Sequence, residues 1–440
     1  AKSARQSVAF YDVVVSATQS HTLLWVARER AATEAHAAGN EEAAAEWKRR
    51  AEIVEEALMV AHRGVLDFLA EKAGYARAWH HGGGGGQWVD ARGLTAAQFL
   101  QHDSRDHDPQ LHVHGAVASK VVCADGKVRA LDYTLFIQWR DAACAYGDRL
   151  AEAQLWQQLG AWWELRRDGK AREIMGIDPE ASRLFSKRTA AITPALQELV
   201  TRFREENGRA PTARERSALA DHATLTTRPG KVFGGETRNG QLARWAAEYD
   251  ARFGREITTL ATEALGHAPA DAERWTERDV VTRALAALEG ARQSWTRSNL
   301  MKEVADALPA HLGLAPDRLL PLIEGLTDKA EALARHLNPQ SGPEDLDAKY
   351  YRADGESVFV KPHSARFATP NQILGEDELR AAAVRRGAFT WTDEQADELV
   401  ARFARAGRDL SADQEAALRG VLTSGAAVEV VNAPAGTYQY

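Results

Sequence analysis

Residues 111–131 read Leu111-His-Val-His-Gly-Ala-Val-Ala-Ser-Lys-Val-Val-Cys123-Ala-Asp125-Gly-Lys-Val128-Arg-Ala-Leu131. From Leu111 to Cys123 the run alternates around His112, His114, Ala116 and Ala118, the two-residue period of a strand with one packed face. Asp125-Gly126 is a tight-hairpin signal, and Val128–Leu131 is predicted to return as the next strand. Upstream, residues 7–16 (Ser-Val-Ala-Phe-Tyr-Asp-Val-Val-Val-Ser) are rich in β-branched and aromatic residues and predict another strand. Between them, Ile53, Ala57, Ala61, Val65 and Phe68/Leu69 recur at helical spacing and predict one long helix over residues 41–73. Antiparallel strands flanked by long helices make an α+β fold.

From about residue 137 the chain turns helical with short loops. Residues 191–310 hold several amphipathic helices and no strong strand, and Trp245, Trp275 and Trp295 are expected to anchor their packing, with base stacking as the other use of such rings. A stretch rich in Pro, Gly and Asp follows at about 338–356, then a predicted short strand at Ser357–Val360. Thr392-Asp-Glu-Gln395 and Ser411-Ala-Asp-Gln414 each match a capping box that starts a helix. Three segments are expected: 1–200 (α+β), 201–337 (helical) and 338–440 (linker and the start of another domain).

The 440 residues are 45% hydrophobic and 27% charged, enough apolar material for ordinary cores. No apolar run approaches a membrane span and no leader is visible, so membrane insertion is not expected. Two cysteines, Cys123 and Cys144, fit a reducing cytoplasm rather than a disulfide framework. A net charge of −7 excludes a uniformly basic nucleic-acid coat but not a local basic groove.

The segment Phe99-Leu-Gln-His102-Asp-Ser-Arg105-Asp-His107-Asp108-Pro-Gln-Leu-His112-Val-His114 holds four histidines in thirteen residues. Residues two apart on a strand share a face, so His112 and His114 project together while Val113 turns to the core. Two imidazoles so placed are half of a metal site, and a third donor from the preceding segment would complete a facial triad.

The same segment resembles the MobF-class conjugative relaxases (the TrwC/TraI-like family), most closely in its actinobacterial form. Ser104-Arg105, Asp108-Pro-Gln-Leu111 and His112-Val-His114 carry the resemblance. The stretch Phe10 to Trp25, the hairpin Asp125–Asp132 and Phe185-Ser-Lys187-Arg188 extend it over about residues 5–200. It implies an HUH-endonuclease palm that nicks one strand at an origin of transfer through a 5′-phosphotyrosyl intermediate. It also implies a divalent ion (Mg, Mn or Zn) on His102, His112 and His114, with Asp12 orienting a ligand histidine or assisting the tyrosine. Single-stranded DNA and other conjugation proteins are the implied partners. Candidate DNA contacts are Arg77, His80, His81, Trp88, Arg105, Lys127, Arg129, Lys187 and Arg188.

Three departures stand out. His102 lies one residue closer to His112 than the family spacing, which puts Gln101 in the histidine register. A one-residue loop deletion favours His102, with His107 in the same loop as the main substitute and Gln101 ranked after it. Thr18-Gln19-Ser20 stands where the family has Pro-Lys-Ser. Tyr11 should face away from Asp12, so the nucleophilic tyrosine is expected outside this chain, leaving the fragment inert for nicking by itself. At the other end, Leu410–Gln414, Val428–Val431 and Ala433-Pro-Ala-Gly-Thr437 resemble the start of a superfamily 1 helicase. There Tyr438-Gln439-Tyr440 replaces the lysine-bearing part of the phosphate loop, so ATP binding is not expected. The alternatives are a non-catalytic single-stranded DNA-binding module and an unrelated metal hydrolase or oxygenase built on His-x-His.

Overall fold

The structure, a computed structural model, describes residues 8–79, 86–169, 171–230, 235–268, 274–310, 312–338 and 346–432. His80 and His81, Ala433–Thr437 and Tyr438-Gln439-Tyr440 lie outside the described residues. Two compact units divide after Phe367.

In the first unit the elements run β1 (Phe10–Ser16), α1 (Gln19–Ala37), α2 (Glu41–Ala73), β2 (Tyr75–Ala78), β3 (Gln87–Asp90), β4 (Ala96–Asp103), β5 (Pro109–Ala118), β6 (Lys120–Val122), β7 (Val128–Ala130) and α3 (Tyr133–Leu159). A short hairpin follows, β8 (Trp163–Leu165) and β9 (Arg172–Ile174). Then come α4 (Pro179–Leu184), α5 (Lys187–Asn207), α6 (Ala213–Thr226), α7 (Arg238–Phe253), α8 (Leu260–Glu263), α9 (Glu277–Ala291), α10 (Arg297–Ala307) and α11 (Pro316–Glu331). The fold is α+β, with helix dominating after β9.

The central sheet has the order β1-β5-β4, antiparallel throughout. Leu111, Val113 and Val117 of β5 are fully buried on one face, against α1 and α2. The other face carries His112, His114 and Ala116 in partly exposed positions. The two-residue period therefore separates a packed face from an open one. The long helix α2 starts where Asn40 accepts a hydrogen bond from Ala43 N at 3.1 Å, with Glu41 and Glu42 in its first turn. Its apolar stripe, Val54, Leu58, Ala61, Val65 and Phe68, lies between α1, β5 and α3.

Gly115 is the one position on β5 where close approach demands glycine. A Cβ there would sit 2.5 Å from His62 Cε1 and 3.2 Å from the Val13 carbonyl. The His62 ring cannot easily yield, because Nε2 donates to Val13 O at 3.0 Å and Nδ1 faces Gln98 Nε2 at 2.6 Å. Gly115→Ala is expected to destabilise the unit by about 1–3 kcal/mol, the usual cost of overpacking a filled site. Urea unfolding that shows no change would remove this account.

His21, on α1, is fully buried and makes its hydrogen bond to Val54 O at 3.0 Å. Burial pulls it down to about 4, although the carbonyl favours the protonated ring. The unfolded chain then takes up a proton near pH 6.5 while the folded chain does not, so stability falls as pH drops from about 6.5 toward 4. His21→Gln is expected to lose this contribution, on the order of 3 kcal/mol across that window. Parallel pH dependences of the two proteins would show that His21 is not responsible. His363, also held near 4 by burial, acts in the same window.

Several expectations need correction. The predicted strand at Ser357–Val360 does not form: Arg352 NH1 takes the carbonyls of Ser357 and Val360 at 2.7 and 2.8 Å, which folds the segment into turns. Only Val358 O reaches a strand, accepting from Trp88 N at 2.7 Å. The strand over 111–123 breaks at Ser119 and continues as β6. Val428–Val431 is not a strand in the described residues. β4, β8 and β9 were not expected at all. Trp245 and Trp295 are fully buried packing anchors.

The second unit contains α12 (Pro370–Val384), α13 (Asp393–Arg405) and α14 (Ala412–Thr423). The boxes predicted at Thr392/Gln395 and Ser411/Gln414 are formed, and Thr369/Gln372 makes a third. Among the described residues no helix is long and apolar enough to cross a membrane.

Candidate metal centre

His112 and His114 stand side by side on the open face of β5, their rings edge to face at 5.1 Å. Strand geometry does this without help from any loop, since the intervening Val113 is fixed in the core. Each imidazole has one nitrogen already held. His114 Nδ1 lies 2.8 and 3.0 Å from the two carboxylate oxygens of Asp12 on β1. His112 Nδ1 lies 3.0 Å from Gln110 O. Both acceptors require the proton on Nδ1, which leaves the Nε2 lone pair of each ring free. Burial holds His112 below the ordinary histidine range, and the adjacent His114 adds to that, while the Gln110 carbonyl opposes it. A neutral imidazole backed by a carboxylate or carbonyl is the form that binds a divalent ion. The donor set therefore fits a metal, with two nitrogen ligands.

His102 is not brought to this pair. It stacks on Trp25 with ring centroids 4.9 Å apart, and its Nε2 lies 3.1 Å from Glu55 Oε1. Arg238 NH1 approaches the same ring at 3.0 Å and Arg238 NH2 reaches Glu55 at 3.0 Å. Trp25 Nε1 also donates to Glu55, at 2.9 Å. Burial would raise the Glu55 carboxyl, but His102 and Arg238 hold it at about 2. This cluster joins α1, α2, β4 and α7. Among the described residues no three His, Cys, Asp or Glu side chains converge as a metal-binding group.

An open groove runs over the histidine face. It is lined by Phe10, Asp12, Phe99, Gln101, Arg105, His107, His114 and Arg228. Phe10 and Phe99 are more than half exposed, unusual for strand aromatics. Their positions could have been found from the alternation, since Phe10 shares the parity of Asp12 and Phe99 pairs with His114. Arg228 and Arg238 carry no local signal and arrive by tertiary packing.

The motif loop is tied down by its own side chains. Ser104 Oγ accepts from Asp106 N and Asp108 N at 3.3 and 3.2 Å. The Asp108 carboxylate accepts from Lys187 N at 2.7 Å and pairs with Lys187 Nζ at 2.9 Å. Lys187 also pairs with Glu248 at 2.8 Å. Arg188 bonds to Thr224 and Thr227, joining α5 to the end of α6. These two cations thus hold the fold together beside the groove. Arg129 is clamped by Asp125 in two 2.7 Å bonds, and Lys127 lies 6.0 Å over the exposed ring of Trp79. Trp88 is a core residue, with Arg77 over its ring at 5.0 Å, so its face is not offered at the surface. Of the seven basic and aromatic candidates among the described residues, Arg105 is the one that lines the groove. Tyr11 pairs with Val117 on the packed side and stacks on Tyr133 at 4.4 Å.

Residues 42–252 match the family model described as TrwC relaxase. Solved structures with similarity include the conjugative relaxase TrwC in complex with OriT DNA, metal-free, at 22% identity over 55% of this chain and 73% of that one, TM-score 0.40. The copper-bound TrwC–OriT complex aligns at 23% identity over 57% and 72%, TM-score 0.41. No curated protein matches the chain.

Proposed function

We propose, from the premise that the chain belongs through residues 42–252 to the TrwC relaxase family, that it nicks one DNA strand site-specifically with the help of a divalent ion. The observation that carries this is the pair of imidazoles on an open sheet face, each with Nδ1 held by an acceptor, His114 lining the groove that runs over that face.

His112 and His114 would hold the ion through Nε2. When bound, a divalent ion (Mg, Mn or Zn) polarises the scissile phosphate and offsets charge growing on its oxygens. Asp12 keeps the His114 proton on Nδ1 and fixes the ring. Arg105 places a positive charge beside the phosphate path. The exposed rings of Phe10 and Phe99 offer stacking surfaces for bases on either side of the nick. A tyrosine oxygen forms the bond to phosphorus and the 3′-hydroxyl leaves, giving a 5′-phosphotyrosyl adduct. Tyr11 faces the packed side and stacks on Tyr133, so the attacking tyrosine is proposed to come from outside the described residues. Single-stranded DNA at an origin of transfer is the proposed substrate.

The test is covalent capture with the full-length protein, a single-stranded origin-of-transfer oligonucleotide and Mn²⁺. A phosphotyrosyl adduct on a denaturing gel that disappears with chelator is expected. Tight, metal-independent binding without adduct would leave a DNA-binding module, and no binding at all would leave neither.

A further inference from the structure

We infer that the third protein donor of this metal site is the side-chain oxygen of Gln101, and that His102 is a structural residue on the opposite face of the sheet. The inference rests on the metal reading above and goes beyond it by naming a donor set of two imidazoles and one neutral amide.

The register of β4 against β5 carries it. Phe99 pairs with His114, Leu100 with Val113 and Gln101 with His112. Directly opposed residues of an antiparallel pair share a face, with Cβ atoms about 4.5–5.5 Å apart. Gln101 therefore stands on the histidine face beside His112, and it is exposed there. The ladder becomes irregular only between Gln101 and Asp103, so the break lies beyond Gln101 and does not rotate it away. His102 is the next residue along and points to the helix side, as its contacts with Trp25, Glu55 and Arg238 show. Turning His102 over to reach His112 would strip Glu55 of one of three donors in a largely enclosed site. Gln101 needs no such change: among the described residues no hydrogen-bond partner claims its amide.

His107 is the remaining rival. It lines the groove, but it sits in the loop after β4 with φ of +60°. Its carbonyl is fixed by Trp245 Nε1 at 2.8 Å, an anchor that sets its backbone and not its ring.

The chemistry of the set differs from three imidazoles. One neutral oxygen donor replaces a nitrogen, so the site favours oxygen-preferring ions such as Mn²⁺ or Mg²⁺ over Zn²⁺. Like a set of three neutral imidazoles, it leaves the full positive charge of the ion uncompensated, so the phosphate oxygens of the DNA become part of what holds it. Metal affinity is then low alone and rises when DNA binds.

Titration calorimetry with Mn²⁺, and the visible spectrum of Co²⁺, test this on the full chain without reference to turnover. Gln101→Ala is expected to weaken Mn²⁺ binding about 10-fold or more, and Gln101→His to tighten Co²⁺ binding by a similar factor and change its spectrum, in line with the loss or gain of one ligand contact. His102→Gln, which keeps a donor for Glu55, is expected to leave metal affinity unchanged while lowering Tm. Loss of metal in His102→Gln or His107→Ala, with Gln101→Ala neutral, overturns the inference. If His112→Ala and His114→Ala also bind metal normally, the metal reading itself falls, and this inference with it. Because Gln101 is exposed, its variants are not expected to unfold, and circular dichroism confirms that before the titrations.

Discussion

His114→Ala is expected to lower strand cleavage about 10³-fold, equivalent to roughly 4 kcal/mol of transition-state stabilisation. Metal affinity should fall in parallel, because the ring is one of the two imidazoles that stand side by side on that face. Affinity for a single-stranded oligonucleotide in the absence of metal should change little, since the groove keeps Arg105, Phe10 and Phe99. Asp12→Ala should act through His114 and not on DNA. Removing the acceptor 2.8 Å from Nδ1 frees the ring to rotate and to take the wrong tautomer. A loss of about 10–100-fold in metal affinity is expected, with cleavage partly restored at high Mn²⁺. That rescue separates a positioning residue from one that touches the DNA: no concentration of metal restores a lost substrate contact. Cleavage by His114→Ala at the wild-type rate would sink the proposed site.

The placement of this site shows which features were legible in the sequence. The His112/His114 pair followed from strand parity alone, because Val113 can only be buried if its neighbours are not. Asp12 was reached through the family resemblance, and strand parity added only that it faces away from Tyr11. β4 was hidden because Ala96-Ala-Gln-Phe-Leu-Gln-His-Asp103 holds neither valine nor isoleucine. Without β4, the donor opposite His112 could only be sought by counting along the chain. Counting cannot see an irregularity in the ladder, and it cannot see that Glu55 of α2 and Arg238 of α7 claim His102 from below. Sequence alone also could not show that Lys187 and Arg188 are engaged by Asp108, Glu248 and the carbonyls at the end of α6. A cation's partner is a tertiary fact, and the charges of this chain are too mixed to reveal it locally. The capping boxes at Thr392 and Ser411 were legible because the cap and its partner lie three residues apart.

The largest stability effect is expected away from the groove, at Glu152 on α3. Arg149, Glu152 and Arg172 are all buried, and the one carboxylate serves both guanidinium groups. Oε2 accepts from Arg149 NH1 at 2.6 Å and Oε1 accepts from Arg172 Nε at 2.6 Å. Arg149 NH2 donates in addition to Pro309 O at 2.5 Å, which ties the segment after α10 to the same point. Burial pulls Arg149 down to about 10, and the pairing with Glu152 opposes that. Replacing all three charged side chains with apolar ones of equal volume costs little, but deleting only the carboxylate leaves two buried guanidinium groups without their shared acceptor. Glu152→Ala is therefore expected to destabilise the first unit by about 3–5 kcal/mol. Glu152→Gln should recover only part of this, since an amide accepts through one oxygen and presents an N–H to the other guanidinium. The triple replacement Arg149→Met, Glu152→Leu, Arg172→Met should be far less damaging than Glu152→Ala. Urea unfolding of the three variants distinguishes the explanations. A triple variant as unstable as Glu152→Ala would mean that the charges contribute through their attraction. A Glu152→Ala variant of near wild-type stability would mean that the buried arginines find water or other acceptors, and that β9 and α10 are held to α3 by apolar packing alone.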